Sequence, residues 1–196
     1  MTLIGHSLVG ATLAILFTPG SRSGRKKAIF IGAFIIMACI PDLPVPGWGH
    51  WQYHVSHSVF VNILLMMPFA MILCYLKYVK NIGSYIFIIG SLTAWSSHFL
   101  LDSFYNHGKG VGIFWPFSSS KFALPIPWFS TMQTTSSLLS NYNLKVLLIE
   151  FLCYFPIFFT ALFIRRFHLR FQLERQPALR TITKARSGEP FRKSMQ

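Results

Sequence analysis

The sequence predicts an all-α membrane protein, a polytopic helical bundle with about five transmembrane helices. Hydrophobic residues make up 53% of the 196 residues and charged residues only 12%, which is about half the charged share of soluble domains. The mean hydropathy is +0.48, and five apolar runs approach the roughly 20 residues that a helix needs to cross a bilayer. The first run lacks a basic leading segment and a small-residue cleavage site, so we expect it to stay as a membrane helix.

The five predicted spans are separated by polar or charged segments. In chain order they cover about residues 2–18, 27–41, 55–78, 82–105 and 144–164, with Lys27 and Lys77 at the loop ends of their runs. The first two are short and require polar turns at their ends or a locally thin bilayer. A long outward loop, 106–143, joins the last two spans, and loops of that size are often functional. Residues 1–168 are predicted to form a membrane-embedded helical domain that carries the candidate functional residues. Residues 169–196 are predicted to form a basic cytoplasmic tail.

The distribution of basic residues predicts the orientation in the membrane. The net charge is +13, from 18 basic and 5 acidic residues. Nucleic-acid-binding proteins show a similar excess, but here the basic residues alternate with apolar runs, so we expect membrane lipids and no nucleic acid as partners. The loops after the first and third runs and the tail carry 4, 2 and 9 basic residues, and all other segments carry 3. The positive-inside rule places the first group in the cytoplasm and the 42–54 and 106–143 loops outside.

Histidines and aspartates gather at the outward ends of these predicted helices. His98 and Asp102 are four residues apart, and His54 and His57 are three apart, so each pair shares a helix face. Ionisable groups near hydrocarbon are costly and tend to be retained for function. Imidazole and carboxylate donors suit Zn²⁺, with Mn²⁺ or Fe²⁺ as alternatives. We therefore predict a metal site for one to three ions, with the candidate ligands His6, Asp42, His54, His57, His98, Asp102 and His107.

Two members of this set are also the predicted catalytic residues, Asp42 and His57. Asp42 would bridge metal ions or take a proton from a nucleophilic water. His50 is an alternative to His54 as the upstream ligand. The outward loop supplies the predicted substrate-binding residues, which are Lys109, Trp115 and Lys121. Ordinary solvated charges and interfacial anchoring of the tryptophan explain these three residues as well.

The order of short motifs along the chain resembles a known family. The motifs are His6-Ser7, Pro41-Asp42, His57-Ser58, Ser97-His98 with Asp102, and Gly112-Ile113-Phe114-Trp115-Pro116-Phe117. Over residues 1–165 this order resembles the YdjM-like membrane-bound metal-dependent hydrolases. More distantly, the order His, Asp, His, His-x-x-x-Asp, His is similar to the zinc-dependent phospholipase C and single-strand nuclease group, although that group's last His-x-x-x-Asp/Glu pair has no match after His107.

The resemblance implies a zinc-dependent hydrolase of the bacterial inner (plasma) membrane. Its expected substrate is a phosphoester of a lipid or lipid-linked phosphate at the outer face. The alternative is a metal-binding membrane transporter or sensor without hydrolytic activity, because intramembrane histidines and carboxylates also line ion pathways. A transporter would place ligands near the middle of the membrane, whereas the predicted ligands lie at helix ends.

Overall fold

A computed structural model describes residues 2–18, 24–75, 82–106, 110–123, 129–133 and 136–187. This part of the chain is mostly helical, as predicted. The α-helices are α1 (Leu3–Phe17), α2 (Gly24–Cys39), α3 (Tyr53–Ser56), α4 (Val59–Tyr75), α5 (Ile82–Asp102) and α6 (Asn141–Ser187). Short 3-10 helices lie at Ile40–Asp42 and Gly49–Gln52. Two two-residue strands, β1 (Tyr105–Asn106) and β2 (Phe129–Ser130), pair in parallel with Tyr105 opposite Phe129.

The predicted third span is broken at its start. Helix α3 ends at Ser56, and the C-cap residue His57 has φ −100° and ψ 10°. Ser58 then begins the next helix, because its Oγ accepts the backbone N–H of Val61 at 3.3 Å. The prediction of one continuous helix from residue 55 was wrong at this point, and the break leaves His57 between two helices.

Helix α6 is longer than the predicted fifth span. Among the described residues it is the one helix that is long and apolar enough to cross a membrane, over Asn141–Phe171. It continues as helix to Ser187, so the predicted basic tail starts as an extension of the same helix. Helices α1 and α4 are apolar but have only 15 and 17 residues, about 22 and 26 Å at 1.5 Å per residue. The structure thus shows one clear span and several shorter apolar helices.

Helix α1 lies at the centre of the bundle and packs against α2, α5 and α6. Its contact with α2 is close at Gly10, where an added Cβ would lie 2.8 Å from Phe34 O and 2.9 Å from Ile35 Cα. The absence of a side chain at Gly10 therefore sets the α1–α2 distance. The buried core between α1, α2 and α5 consists of Ala14, Phe30, Phe34, Ala38 and Ala94.

The outer surface of the bundle is rich in large apolar side chains. Leu64 is 68% exposed and Met71 67% on α4, and Phe163 is 72% exposed on α6. Soluble monomers rarely expose contiguous apolar surface of this extent. These helix faces are therefore suited to contact with lipid chains.

Candidate metal centre

Five of the predicted ligands meet at one end of the bundle, although they come from four different segments. His6 lies on α1, Asp42 ends the 3-10 helix after α2, His57 lies between α3 and α4, and His98 and Asp102 lie in the last turns of α5. The three histidines are 0% exposed and Asp102 is 1% exposed. The side chain of Asp42 is 7% exposed, so Asp42 is the member of this cluster closest to an opening.

The donor atoms of this His/Asp cluster lie within a few ångströms of one another. His57 Nε2 is 3.3 Å from Asp42 Oδ1 and 3.3 Å from Asp102 Oδ2. His6 Nε2 is 3.3 Å from Asp102 Oδ1 and 3.7 Å from Asp42 Oδ2. His98 Nε2 is 3.5 Å from Asp102 Oδ2 and 3.8 Å from Asp42 Oδ1. Both carboxylates thus face all three imidazoles.

Hydrogen bonds hold the far side of two imidazoles. His98 Nδ1 lies 2.8 Å from Ala38 O. Because a carbonyl oxygen only accepts, this nitrogen is a donor, and the neutral ring carries its lone pair on Nε2. His57 Nδ1 lies 2.8 Å from Ser56 Oγ, which can donate or accept, and 3.2 Å from Tyr53 O. The Nε2 atoms of His57 and His98 are 3.2 Å apart, so a proton or a cation can lie between them.

The ring of His6 packs against another imidazole of the cluster. It is stacked on the ring of His98, with centroids 3.7 Å apart and an interplanar angle of 11°. Within the described part of the chain, its buried Nδ1 has no hydrogen-bond partner. An unsatisfied buried polar atom costs about 1–3 kcal/mol.

The chemistry of the whole donor set, with three imidazoles and two carboxylates, fits a divalent transition-metal ion. Two overlapping triads could each hold one ion: His6–His98–Asp102 and Asp42–His57–His98.

Two groups outside the helical spans have pKa values displaced by the cluster. Burial opposes ionisation of Asp42, but the hydrogen bond with His57 and the charge that His98 and His6 carry when protonated outweigh burial and hold its pKa below the usual range. Asp42 is therefore a carboxylate at neutral pH. Burial and the charges of Asp102 and Asp42 raise the pKa of Tyr53, so Tyr53 remains a neutral phenol.

A buried amide holds the helix break beside the cluster. Asn62 Nδ2 donates to Ser56 O at 2.7 Å and to Ser58 O at 2.8 Å. The indole Nε1 of Trp95 on α5 donates to Asn62 Oδ1 at 2.8 Å. Asn62 thereby connects the two ends of the break around His57 to the helix that carries His98 and Asp102.

The 110–118 segment packs on the same break. The backbone N–H of Val59 donates to Ile113 O at 3.0 Å, and Ser58 Oγ donates to Trp115 O. The rings of Phe60 and Phe117 meet edge to face with centroids 4.8 Å apart. The aromatic motif near residue 115 therefore braces the segment that contains His57.

Of the remaining predicted residues, those that the structure describes lie outside the cluster. His54 is exposed, and its ring meets Trp115 edge to face at 5.3 Å, away from the donor atoms of the cluster. Lys121 is exposed on the loop. His107 and Lys109 lie outside the described residues, as does the side chain of His50. The structure therefore brings together five of the seven predicted ligands, and it places Trp115 as a structural contact of Ser58.

The sequence interpretation did not identify two residues near the site. Tyr53 stacks on His57 with ring centroids 3.8 Å apart. Glu150, 1% exposed on α6, accepts hydrogen bonds from Thr2 N at 3.0 Å and from Thr2 Oγ1. The signal for Glu150 was present, because it is an isolated carboxylate within an apolar run. Nothing in the local sequence marks Tyr53.

Apolar helices with lipid-facing surfaces around a buried His/Asp cluster define a helical membrane protein with a candidate metal centre. The family model described as YdjM inner membrane protein matches residues 1–169. The chain belongs to this family, and it is an inner membrane protein. It is 31% identical over 134 residues to the inner membrane protein YbcI of Escherichia coli (strain K12), covering 63% of this chain and 72% of that protein. No solved structure matches the chain.

Proposed function

We propose that this protein is a metal-dependent hydrolase that cleaves a phosphoester of a lipid or lipid-linked phosphate at the outer face of the inner membrane. The observation that carries the proposal is the convergence of three buried imidazoles on two carboxylates, with the Nε2 atoms of His57 and His98 3.2 Å apart. Such a donor set suits a divalent cation. Its position at the helix ends is suited to the headgroup layer, where the bond to be cleaved would lie.

The spacing of the donor atoms supports one ion per chain rather than three. Zinc bonds to nitrogen and oxygen ligands are about 2.1 Å long, so neighbouring ligand atoms around one ion lie roughly 3.0–3.4 Å apart. The contacts between His57, His98 and Asp102 are 3.2–3.5 Å. His6 completes the set, 3.3 Å from Asp102. We assign these four residues as ligands of a Zn²⁺ ion, with Mn²⁺ or Fe²⁺ as alternatives.

The fifth residue of the cluster, Asp42, is assigned the role of general base. It is ionised, and it is the member nearest to solvent. Its carboxylate would accept a proton from the attacking water while the water oxygen bonds to phosphorus, and would pass that proton to the alcohol oxygen as the bond between that oxygen and phosphorus breaks. A bound divalent ion would supply Lewis-acid chemistry by polarising the phosphoryl oxygen and by making water a stronger acid.

A five-span topology with the cluster facing outward accompanies this proposal. Two contacts show that α1 and α6 run in parallel: Thr2 N donates to Glu150 Oε1 at 3.0 Å, and Arg165 Nη1 donates to Leu16 O at 3.3 Å. Helices that run in parallel at the start and end of a membrane domain are expected for an odd number of spans. The basic segments after α1 and at the end of α6 then lie on the cytoplasmic side.

The test is hydrolysis of defined phospholipids by the purified, metal-loaded protein, followed by mass spectrometry of the products. Asp42→Asn is expected to retain the metal and to lower the rate about 10²–10⁴-fold, the usual contribution of a general base. His54→Ala serves as the matched control, because His54 is exposed and outside the cluster. Equal rates for Asp42→Asn and the wild type would remove Asp42 from the mechanism. No hydrolysis by the metal-loaded wild type across the lipid panel would refute the enzyme.

Burial of the cluster favours a second candidate, a metal-binding transporter or sensor without hydrolytic activity. Catalytic zinc sites keep a coordination position open, whereas structural sites are closed by protein ligands. The three histidines are 0% exposed, as in a closed site. Relaxation of solvent protons by Mn²⁺-loaded protein discriminates the two, because rapid water exchange is expected at an open catalytic site. Metal uptake into proteoliposomes without hydrolysis would favour the second candidate.

A further inference from the structure

A second polar site lies on α6, away from the donor atoms of the His/Asp cluster. We propose that the cavity between α6 and strand β2 binds the phosphate of a membrane phospholipid, with Lys145 as its cation. The cavity has a volume of about 170 Å³, several times the roughly 30 Å³ of one water molecule. It is lined by Phe129, Ser130, Tyr142, Lys145, Val146, Ile149 and Glu150.

The lining is amphipathic in the way that a phospholipid requires. Lys145 contributes an ammonium group, and Ser130 and Tyr142 contribute hydroxyl groups, which are donors for phosphate oxygens. Val146 and Ile149 contribute apolar side chains to the same lining. A phosphate with attached acyl chains would therefore find both polar donors and apolar surface in this cavity.

Helix geometry places Lys145 at the depth of lipid headgroups. Lys145 and Arg165 are 20 residues apart on α6, and a helix rises 1.5 Å per residue. Their separation is thus about 30 Å, which equals the thickness of the hydrocarbon core. Glu150 is the one ionisable carboxylate between them, and it is buried. When Arg165 lies at one interface, Lys145 lies at the other.

Glu150 is the one acidic side chain in the lining. Its two oxygens accept hydrogen bonds from the backbone N–H and the hydroxyl of Thr2, so the carboxyl group already has partners within the protein. The opposite wall, Phe129, stacks on Tyr105 with ring centroids 4.9 Å apart. Tyr105 follows Asp102 by three residues, so the cavity neighbours the metal centre without sharing a ligand with it.

Lys145 of this cavity is distinct from Lys121, the lysine that the sequence predicts to bind the substrate. Lys121 lies exposed on the outward loop and does not line this cavity. This site requires neither the metal nor hydrolysis. Lipid binding to this cavity can therefore be measured in protein treated with a chelator. The result does not depend on whether the protein is a hydrolase.

The experiment is native mass spectrometry of the full chain in detergent with added phosphatidylglycerol, with and without chelator. We expect one retained lipid, about fivefold weaker in Lys145→Gln, because one basic residue near the headgroups contributes about that factor. Tyr142→Phe should also weaken retention, whereas Lys145→Arg should preserve it. Lys121→Gln is the matched control and should bind as the wild type.

Two competitors identify what the site recognises. Diacylglycerol, which lacks the phosphate, should not displace the lipid. Inorganic phosphate at millimolar concentration should not displace it either, because it lacks the acyl chains; displacement would identify a free-phosphate site and overturn the lipid assignment. Equal retention by Lys145→Gln and Lys121→Gln would overturn the site.

Discussion

Replacement of His98 by alanine tests whether the cluster is a metal centre. His98 belongs to both of the triads that could hold an ion, and its Nε2 lies within 3.2–3.8 Å of three other donor groups. Zinc binding by structural sites is worth about 10–16 kcal/mol. Shared among the four assigned ligands, this is about 2.5–4 kcal/mol for each, which corresponds to a roughly 70- to 900-fold loss of affinity.

The assay is metal content after dialysis, measured by elemental mass spectrometry, with affinity from competition against a chelator of known strength. The wild type is expected to hold one ion per chain, and His98→Ala to lose it at chelator concentrations that leave the wild type loaded. His54→Ala removes the same type of side chain from an exposed position and should behave as the wild type. A His98→Ala protein that binds metal as tightly as His54→Ala would refute the assignment.

Three further outcomes follow from packing and protonation. Gly10→Ala should lower the free energy of unfolding by about 1–3 kcal/mol, because its Cβ would meet the α2 backbone. Gly32→Ala is the control and should leave the free energy of unfolding unchanged, since nothing lies within 4 Å of the added Cβ. Thermal unfolding in detergent compares the two variants. Asn62→Leu should cost about 1–3 kcal/mol in the same assay, since Trp95 Nε1 would lose its acceptor. Metal retention should fall as the pH drops below about 6, because protonated imidazoles cannot bind metal. Dialysis over a pH series measures the retained metal, and full retention at pH 4 would contradict this prediction.

Much of the fold and the membership of the cluster were predictable because both depend on local properties of the sequence. The helices α1, α2, α5 and α6 lie on the predicted apolar runs. His98 and Asp102 are one helical turn apart, so they share a face in any α-helix. Apolar length and helical spacing require no knowledge of how distant segments pack.

The parts that were not predicted depend on contacts between distant segments. His54 and His57 share a helix face by spacing, but the break after Ser56 separates them, and Asn62 and Trp95 stabilise that break from another helix. The sequence also could not distinguish Lys145 from Lys121. The packing of β2 against α6 forms a cavity that Lys145 lines and Lys121 does not.

Charge balance connects the geometry of the cluster to its need for an ion. Two ionised carboxylates with three neutral imidazoles carry a net charge of −2, and burying such a charge uncompensated is costly. Two protons would cancel it, one between the Nε2 atoms of His57 and His98, at 3.2 Å, and one on His6. One divalent cation would cancel it as well, and it would draw the imidazole and carboxylate donors to a single centre. The metal content of the wild type and of His98→Ala therefore distinguishes a metal site from a protonated network of ion pairs.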